Sequence, residues 1–392
     1  MIKNFLERAI GYILYLPKIL VKKNNVIVIS CHDYYEYSGN SRFLYEYLSK
    51  HSDFEIYWFT NNKFVKDYLK SKNFKYISHR RIFKAIWVML KTKIVISSGD
   101  AYADLFYILD NKDVCKISLT HGFGPKTDQL RLNSNLIARI NRFSFVNFPS
   151  KHTCENNGSK LYGLPKNKII SFGYPKNDAL YDKKKSEYLY KNRSIIKMLF
   201  PNMNVTSSTV ILYTPTWRAY QSDIPLINIK GFTEKKFSDL LEDKNILFVY
   251  SLHPINRPNI LLKKKRCSYI YNDTMLIDIN NLMHETDILM NDYSTTSIDY
   301  CLTEKPQIFC LPDHNKYKNY VDLEKDYLES LPGDHFSNFD ELASMLDKIV
   351  EMKNKYPQKH RENIKMYLNK YYNIDNKNSS EMLKLFFLKI IN

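Results

Sequence analysis

The stretch CKISLTHGFGPKT, residues 115–127, joins a predicted strand to a loop of unusual composition. Apolar and β-branched residues continue up to Thr120 and stop abruptly at His121, after which two glycines, a proline and a lysine follow within five residues. The chain has only 10 glycines, so two in one short loop indicate backbone conformations that other residues avoid. The stretch therefore predicts a buried strand that ends in a tight loop carrying a histidine.

Similar short runs of β-branched and aromatic residues recur along the chain in two series. Most are continuously apolar, as is typical of strands that are covered on both faces. Helical patterns such as residues 41–50 and 83–91 separate many of them, and this alternation indicates parallel, doubly wound sheets. The first series comprises residues 25–30, 55–60, 75–78, 93–98, 115–120, 143–148 and 168–172, and the second comprises residues 209–215, 245–252, 267–272, 287–292 and 306–312.

We expect an α/β fold with two doubly wound, Rossmann-like domains facing a central cleft. The length of 392 residues is that of two ordinary domains. Ligands of doubly wound sheets bind at the carboxyl ends of the strands, which favours a site in the cleft. The predicted N-terminal domain comprises residues 25–182, the linker residues 183–208, and the C-terminal domain residues 209–392, whose last helix is a candidate for packing back on the N-terminal domain.

The net charge of +17 favours anionic partners, although a lysine-rich codon usage would give the same surplus. A nucleic-acid-binding protein would place clustered Lys and Arg among exposed aromatic residues. The densest basic runs, residues 182–187 and 262–267, are short and lack such residues, so we predict no nucleic-acid partner. The six cysteines form no CxxC pair, which indicates reduced thiols and neither a disulfide framework nor a zinc site.

Residues 1–24 predict an amphipathic helix. Their apolar run, residues 9–16, is too short for a membrane-spanning helix, which needs about 20 apolar residues, and no signal-peptide cleavage site follows it. Two alternatives remain open, namely that the helix lies on an anionic membrane surface and that it packs on its own domain. The basic residues around it are Lys3, Arg8, Lys18, Lys22 and Lys23.

Polar side chains follow several strands at the point where each strand ends. The hydroxyl segment, Ser294, Thr295 and Thr296, comes after Asp292 and opens an apolar helix. Unpaired N–H groups and partial positive charge at a helix start favour a phosphate there. Simple N-capping is the alternative, but four consecutive hydroxyl residues, 294–297, exceed what capping needs. We therefore predict a phosphate-binding segment.

Two histidines and two cations are further candidates at strand ends. His121 could act as a general base, with Lys126 close to an anion, or it could be a capped loop histidine. His253 could hold a phosphate or give a proton to a leaving group, although a lone His-Pro is often structural. Arg218 could grip a phosphate through two hydrogen bonds or form a salt bridge at a domain face. Thr216, beside Arg218, is a candidate for binding the same phosphate.

The segment THGFGPKT, residues 120–127, resembles the His-Gly-x-x-x-Lys segment of the CDP-glycerol glycerophosphotransferase family, the teichoic-acid primases and polymerases. Six further segments are similar to the family in the same order along the chain, roughly from residue 25 to residue 340. They are YSGNSRFLYEYL (37–48), FGYPKNDAL (172–180), LYTPTWR (212–218), SLHP (251–254), NDYSTTSIDYCLTEKPQIF (291–309) and DLEKDYLESLPGDHF (322–336).

The resemblance implies a glycosyltransferase-B-like fold and transfer of glycerol phosphate from CDP-glycerol to a hydroxyl group, with release of CMP. It places the functional histidines at His121, on the acceptor side, and at His253, in the domain that binds the nucleotide donor. The donor segment falls on Ser294, Thr295 and Thr296, with Asp292, Thr216, Arg218 and Lys126 as further donor-binding candidates. Acceptors in the family are lipid-linked or polymeric and lie at the cytoplasmic membrane face, in teichoic-acid or capsule-type synthesis.

Several points stay open. Phe123 and Gly124 stand where the family more often has Thr-Pro, and Asn291 stands where Thr or Ser is common, which leaves the acceptor undetermined. The polyol could be glycerol or ribitol, and a transferase using a CMP- or UDP-sugar, similar to polysialyltransferases, is the alternative enzyme. The length fits a primase or capsule-type transferase. No Asp-x-Asp cluster is present, so we predict no cofactor and leave a metal requirement open.

Overall fold

The computed structural model describes residues 21, 25–31, 36–99, 113–124, 126, 134–218, 220, 224–252, 264–351, 356–372 and 378–391. These residues separate into two compact units. The first unit comprises the described residues within Met1–His121, Leu132–Asp178 and Asn373–Asn392. The second unit comprises the described residues within Gly122–Arg131 and Ala179–Tyr372. Each unit is built on its own parallel sheet, so the expected α/β class is confirmed.

The first unit contains a seven-stranded sheet in the order β3-β2-β1-β4-β5-β6-β7. All its strand pairs are parallel, and β1 is buried along its whole length, as the continuous apolar runs predicted. Every strand lies within a predicted run except β4, which begins one residue before the run at 93–98. The strands are β1 (Val26–Ser30), β2 (Glu55–Phe59), β3 (Tyr76–Ile77), β4 (Thr92–Ser97), β5 (Cys115–Ser118), β6 (Phe145–Asn147) and β7 (Ile169–Ile170).

The second unit contains a six-stranded parallel sheet in the order β10-β9-β8-β11-β12-β13. Its strands are β8 (Thr209–Tyr213), β9 (Ile246–Tyr250), β10 (Cys267–Tyr269), β11 (Ile288–Asn291), β12 (Gln307–Cys310) and β13 (Gly333–Phe336). The sequence did not predict β13, because this edge strand exposes a charged and a polar side chain, Asp334 and His335. Gly333 is required there, since a Cβ atom would lie 2.0 Å from the carbonyl oxygen of Gln307.

Helices cover the sheets, and several of them begin at a side-chain cap, namely Asn62, Asp182, Thr233 and Asp278. In chain order the helices are α1 (Gly39–His51), α2 (Lys63–Ser71), α3 (Ile82–Lys91), α4 (Ser134–Asn141), α5 (Lys151–Thr153, continued by a π-helix at Cys154–Leu161), α6 (Asp178–Tyr181), α7 (Lys183–Asn192), α8 (Ser194–Leu199), α9 (Glu234–Asp243), α10 (Asn272–Met275), α11 (Ile279–Glu285), α12 (Thr296–Tyr300), α13 (His314–Tyr317), α14 (Tyr327–Ser330), α15 (Phe339–Glu351), α16 (Gln358–Tyr371) and α17 (Ser379–Ile391).

The segment predicted as a linker, residues 183–208, forms α7 and α8 and belongs to the second unit. A buried polar network ties it to the start of β11. The Arg193 guanidinium donates to Asp287 at 2.7 Å, and the Glu285 carboxylate accepts from the backbone N–H groups of Ile195 and Ile196 at the start of α8. These bonds satisfy charges that would be costly to bury alone, so the segment is an integral part of this unit.

His284, at the end of α11, is a buried part of the same region. Its Nδ1 lies 2.8 Å from the hydroxyl of Ser186 on α7, and its Nε2 has no hydrogen-bond partner. Burial, together with the positive charges of Lys305 and Lys185, lowers the pKa of His284 to about 4. The folded protein therefore holds this imidazole neutral at neutral pH.

We expect the free energy of unfolding to fall as the pH decreases through the window from about 6.5 to about 4, because the unfolded chain binds the His284 proton first. The shift corresponds to a loss of up to about 3 kcal/mol. Urea unfolding of the wild type and of His284→Gln at several pH values in this window measures it. The substitution should flatten the pH dependence, and an equal dependence in both proteins would contradict this role of His284.

The state of the cysteines and the expected lack of a membrane-spanning helix can be compared with the described residues. The six cysteines are all free thiols, and burial raises the pKa of the Cys115 thiol to about 11, which fits unreactive, reduced cysteines. Within the part of the chain that the structure describes, no helix is long and apolar enough to cross a bilayer. The predicted amphipathic helix of residues 1–24 lies outside the described residues except for position 21.

Candidate active site

The backbone that leads to His121 is fixed by an unusual residue, Thr120. This threonine has a φ of +52°, a conformation that non-glycine residues rarely adopt. Its hydroxyl group contacts the carbonyl oxygen of Asn147 at 3.0 Å and the hydroxyl of Tyr174 at 3.0 Å. The strand β5 therefore ends in a strained turn that its neighbours hold in place, as is common at functional sites.

Two buried side chains from other segments support the same turn. Asn40, at the start of α1, donates to the carbonyl oxygen of Thr120 at 2.9 Å and accepts from the backbone N–H of Lys176 at 3.3 Å. The Lys176 ammonium in turn donates to the carbonyl oxygen of His121 at 3.2 Å. Three of the segments that resemble the family thus converge on one turn, while His121 itself is exposed. This arrangement positions an accessible imidazole on a fixed backbone.

The residues after His121 belong to the second unit and pack against the hydroxyl segment. A Cβ atom at Gly122 would lie 3.0 Å from Oγ1 of Thr295, and one at Gly124 would lie 2.9 Å from its Cγ2. Glycine is therefore needed at both positions because a larger residue would come too close to Thr295. From the sequence, the expected reason was the freedom of the glycine backbone. Lys126 is half-buried and pairs antiparallel with Leu323.

The hydroxyl segment itself is the accessible part of an otherwise buried stretch. Ser294, Thr295 and Thr296 are partly exposed, whereas the residues on both sides are buried. Ser294 Oγ lies 3.0 Å from Oγ1 of Thr296 and accepts from its backbone N–H at 3.3 Å, and the Thr295 side chain does not cap the helix. The helix α12 that follows has only five residues, so the hydroxyl and N–H groups, more than a long helix dipole, would attract an anion.

Arg218 forms a buried ion-pair cluster with Asp313 and with Asp292, which lies two positions before this segment. Its guanidinium donates to Asp292 at 2.8 Å, to Asp313 at 2.8 and 3.2 Å, and to the carbonyl oxygen of Thr216 at 2.8 Å. The Arg218 side chain has no exposed surface. Four hydrogen bonds to protein atoms leave it little capacity for a phosphate. Its geometry is that of a salt bridge, the alternative considered from the sequence, but the salt bridge is internal and not at an exposed domain face.

The charges of this cluster stabilise one another. Burial alone would lower the pKa of Arg218, but Asp292 and Asp313 raise it above its ordinary value. Burial alone would raise the pKa of Asp313, but the hydrogen bonds and charge of Arg218 hold it below its usual range. Asp292 also accepts from the backbone N–H and hydroxyl groups of Thr216, the latter at 2.7 Å. These hydrogen bonds connect the end of β8 to the end of β11.

Aromatic residues complete the support of the hydroxyl segment. The ring of Tyr293 stacks on Tyr317 with 3.8 Å between centroids, and the Arg218 guanidinium lies over both rings. The Tyr327 hydroxyl donates to the carbonyl oxygen of Asp292 at 2.7 Å, and the hydroxyl of Tyr293 contacts Nδ1 of His314 at 3.1 Å. These contacts hold the backbone of residues 292–293 directly before the accessible hydroxyl groups.

The structure thus brings together Thr216, Arg218, Asp292 and the hydroxyl segment at the carboxyl edge of the second sheet. His253 lies outside the described residues, and its role stays a prediction. Asp313 was missed, although it follows β12 just as the other candidates follow their strands. In the first unit, the sequence analysis missed Asn40 and Lys176, although both lie in segments that resemble the family. Among the described residues, no three His, Cys, Asp or Glu side chains are grouped so as to hold a metal ion.

Comparison with known proteins gives a consistent result. The family model described as CDP-Glycerol:Poly(glycerophosphate) glycerophosphotransferase matches residues 13–387. A teichoic acid glycerol-phosphate transferase of Staphylococcus aureus is 25% identical over 377 residues, which cover 91% of this chain and 92% of that protein. A teichoic acid poly(ribitol-phosphate) polymerase of Bacillus spizizenii is 24% identical over 340 residues, which cover 84% of this chain and 52% of the relative. The chain thus matches about half of that polymerase.

A solved structure of a variant of the wall teichoic acid polymerase TagF, soaked with CDPG, resembles the whole chain. The TM-score is 0.75 at 20% identity, covering 98% of this chain and 92% of the solved one. At this identity the likeness speaks to the fold alone, which is that of a glycosyltransferase-B-like protein with two parallel α/β sheets.

Proposed function

Since the chain belongs to the CDP-glycerol:poly(glycerophosphate) glycerophosphotransferase family, we propose that it transfers a glycerol phosphate unit from CDP-glycerol to an acceptor hydroxyl group and releases CMP. The observation that carries this proposal is the accessible hydroxyl segment that follows a buried ion-pair cluster. Three hydroxyl groups and their backbone N–H groups are well suited to a diphosphate. The soaking of TagF with CDPG supports the choice of nucleotide donor.

The reaction requires an acceptor oxygen to displace CMP at the β-phosphorus of the nucleotide donor. Catalysis of phosphoryl transfer depends mainly on positioning and on neutralising charge. In our proposal the imidazole of His121 accepts the proton of the acceptor hydroxyl, and Lys126 neutralises the transferred phosphate. His253 assists the departing CMP. The exposure of His121 on a turn fixed by Asn40 and Lys176 supports its assignment as the base.

The proposal gives the hydroxyl segment the contact with the diphosphate. Ser294, Thr295 and Thr296 offer the accessible donors, while the ion pair of Arg218 and Asp292 holds the chain two positions before the segment. Arg218 thus acts as a positioning residue, because its hydrogen bonds go to carboxylates and a carbonyl group. Thr216 joins the same support through Asp292.

We further propose that the acceptor is lipid-linked or polymeric and that the enzyme works peripherally at the cytoplasmic membrane face, in teichoic-acid or capsule-type synthesis. The teichoic acid relatives support this part of the proposal. Glycerol and ribitol phosphate remain the two candidate units, since relatives named for each match the chain at similar identity.

A panel of nucleotide donors tests the proposed reaction. The full chain is incubated with CDP-glycerol, CDP-ribitol, a CMP-sugar and a UDP-sugar, each with a lipid-linked disaccharide acceptor, and the released nucleotide and the product mass are measured. We expect CMP release from CDP-glycerol with one glycerol phosphate gained per CMP. Release from a sugar nucleotide alone would identify a glycosyltransferase instead, and release from CDP-ribitol alone would correct the polyol.

Removing two hydroxyl groups of the segment should weaken binding of the nucleotide donor. In Ser294→Ala/Thr295→Val the shapes are nearly kept while both hydroxyl groups are lost. Two hydrogen bonds to a charged phosphate, at about 1.5–3 kcal/mol each, correspond to a rise in the Kd for CDP-glycerol of about 100- to 10,000-fold. Titration calorimetry measures it.

The matched control is Thr206→Val/Ser207→Ala, which removes an exposed pair of hydroxyl groups in the same unit. This control should bind CDP-glycerol like the wild type. Equal Kd values for all three proteins would show that the diphosphate binds away from residues 294–296.

A further inference from the structure

Helix α3, Ile82–Lys91, presents large apolar side chains to solvent on one face. Phe83 is 87% exposed, and Ile82 and Trp87 are each 53% exposed. The opposite face is buried against the first unit through Ala85 and Val88, among others. Single exposed apolar residues are ordinary on protein surfaces, but three bulky ones at adjacent helical positions form a patch of the kind that binds a partner.

The surroundings of this patch are strongly basic. Residues 63–91, which span α2 and α3, contain nine Lys or Arg residues against a single acid, Asp67. Arg80, Arg81 and Lys84 are exposed directly beside the apolar side chains. Partial burial, followed by the positive charges of Arg80, Lys70 and Arg81, lowers the pKa of Lys66. The cations of α2 and those directly before α3 therefore act on one another.

The two kinds of side chain are combined within α3 itself. The Lys91 ammonium lies 4.5 Å from the centroid of the Trp87 ring on the same helix, whereas Lys84 lies over the ring of Tyr57 on β2. An indole ring with an adjacent ammonium group suits the interface between lipid headgroups and acyl chains. A helix with bulky apolar residues on one face and flanking Lys and Arg is typical of segments that lie in the plane of an anionic bilayer.

We propose that the α3 surface, defined as Ile82, Phe83 and Trp87 with Arg80, Arg81 and Lys84, binds the surface of an anionic lipid bilayer. The apolar side chains enter the headgroup boundary, and the cations contact the acidic headgroups, where each contributes favourably near the surface. The inference rests on the proposed function only in that a lipid-linked acceptor would lie at the same bilayer. Binding itself requires neither substrate nor catalysis.

The charge of the α3 surface favours an anionic bilayer, and not a second copy of the chain, as its partner. A symmetric dimer through the α3 surface would bring the same patch of both copies together. Arg80, Arg81 and Lys84 of one copy would then face their own counterparts, and Asp67 is the only acid in this stretch of sequence to offset them. Anionic lipid headgroups supply the opposite charge that a second copy lacks.

Vesicle co-sedimentation of the full chain tests the proposal. Vesicles of phosphatidylcholine are compared with vesicles that also contain phosphatidylglycerol, without any substrate present. We expect the wild type to bind the anionic vesicles and Phe83→Glu/Trp87→Glu to bind them at least about 10-fold more weakly. The control Tyr188→Glu/Met198→Glu, which alters exposed apolar residues of the second unit, should bind like the wild type.

Two results would overturn the proposal. Wild-type binding by Phe83→Glu/Trp87→Glu would place the membrane contact elsewhere, as in residues 1–24. The second result is a wild type that does not bind vesicles but forms a dimer, together with a Phe83→Glu/Trp87→Glu variant that is monomeric. It would make the α3 surface an interface between copies of the chain. CMP release with a water-soluble acceptor is measured in parallel, because a protein that binds vesicles without releasing CMP contradicts the proposed function and leaves this inference standing.

Discussion

Replacing His121 with alanine is expected to lower the rate of CMP release from CDP-glycerol by about 100- to 10,000-fold, the usual contribution of one positioned general base. The Kd for CDP-glycerol should change little, because His121 is assigned to the acceptor hydroxyl and the hydroxyl segment to the diphosphate. Single-turnover kinetics give the rate, and calorimetry gives the Kd. The substitution should leave the fold intact, since His121 is exposed and the turn is held by backbone contacts to Asn40 and Lys176.

A pH profile and a matched control separate this role from a structural one. The wild-type rate should decline at acidic pH as the imidazole becomes protonated, and the residual rate of His121→Ala should lack that decline. His51→Ala, which removes another exposed histidine of the first unit, should keep the wild-type rate and profile. Wild-type turnover in His121→Ala would remove this residue from the role of base.

Replacing Arg218 with methionine is expected to lower the free energy of unfolding by about 3–5 kcal/mol. The substitution leaves Asp292 and Asp313 buried without the cation that both carboxylates contact. It should also weaken CDP-glycerol binding, because the hydroxyl segment loses its support. Urea unfolding measures the stability, and calorimetry measures the binding.

Two companion variants make this result interpretable. Arg361→Ala removes an exposed arginine of α16 and should change stability by less than about 0.5 kcal/mol. The triple variant Arg218→Met/Asp292→Asn/Asp313→Asn removes the unpaired charges and should recover part of the lost stability. An Arg218→Met protein as stable as the wild type would contradict the internal ion-pair role and return Arg218 to the phosphate contact expected from the sequence.

Much of the fold could be predicted because its strands carry a strong local signal. Eleven strands lie within the apolar runs that the sequence shows, and β4 begins one residue before its run. Parallel strands buried on both faces are continuously apolar, which makes them visible in the sequence. The edge strand β13 lacks this signal because only its two ends are buried. Its place in the sheet depends on Gly333 approaching Gln307, a contact that no local pattern reveals.

Part of the site could also be predicted, because its residues directly follow strands that are visible in the sequence. The rule that functional residues follow strands found Thr216, Arg218 and Asp292, and applied to β12 it would also have found Asp313. The partners of Arg218 could not be read from the sequence, because Asp292 and Asp313 lie 74 and 95 positions away along the chain. A lone arginine after a strand fits a phosphate contact and an ion pair equally well until its neighbours are known.

A crystal structure of His121→Ala with CDP-glycerol bound would show directly where the diphosphate lies. We expect diphosphate oxygens within hydrogen-bond distance of the hydroxyl or backbone N–H groups of Ser294, Thr295 and Thr296, with the ion pairs of Arg218 unchanged. A diphosphate bound away from residues 294–296 would rule out the hydroxyl segment as the donor site.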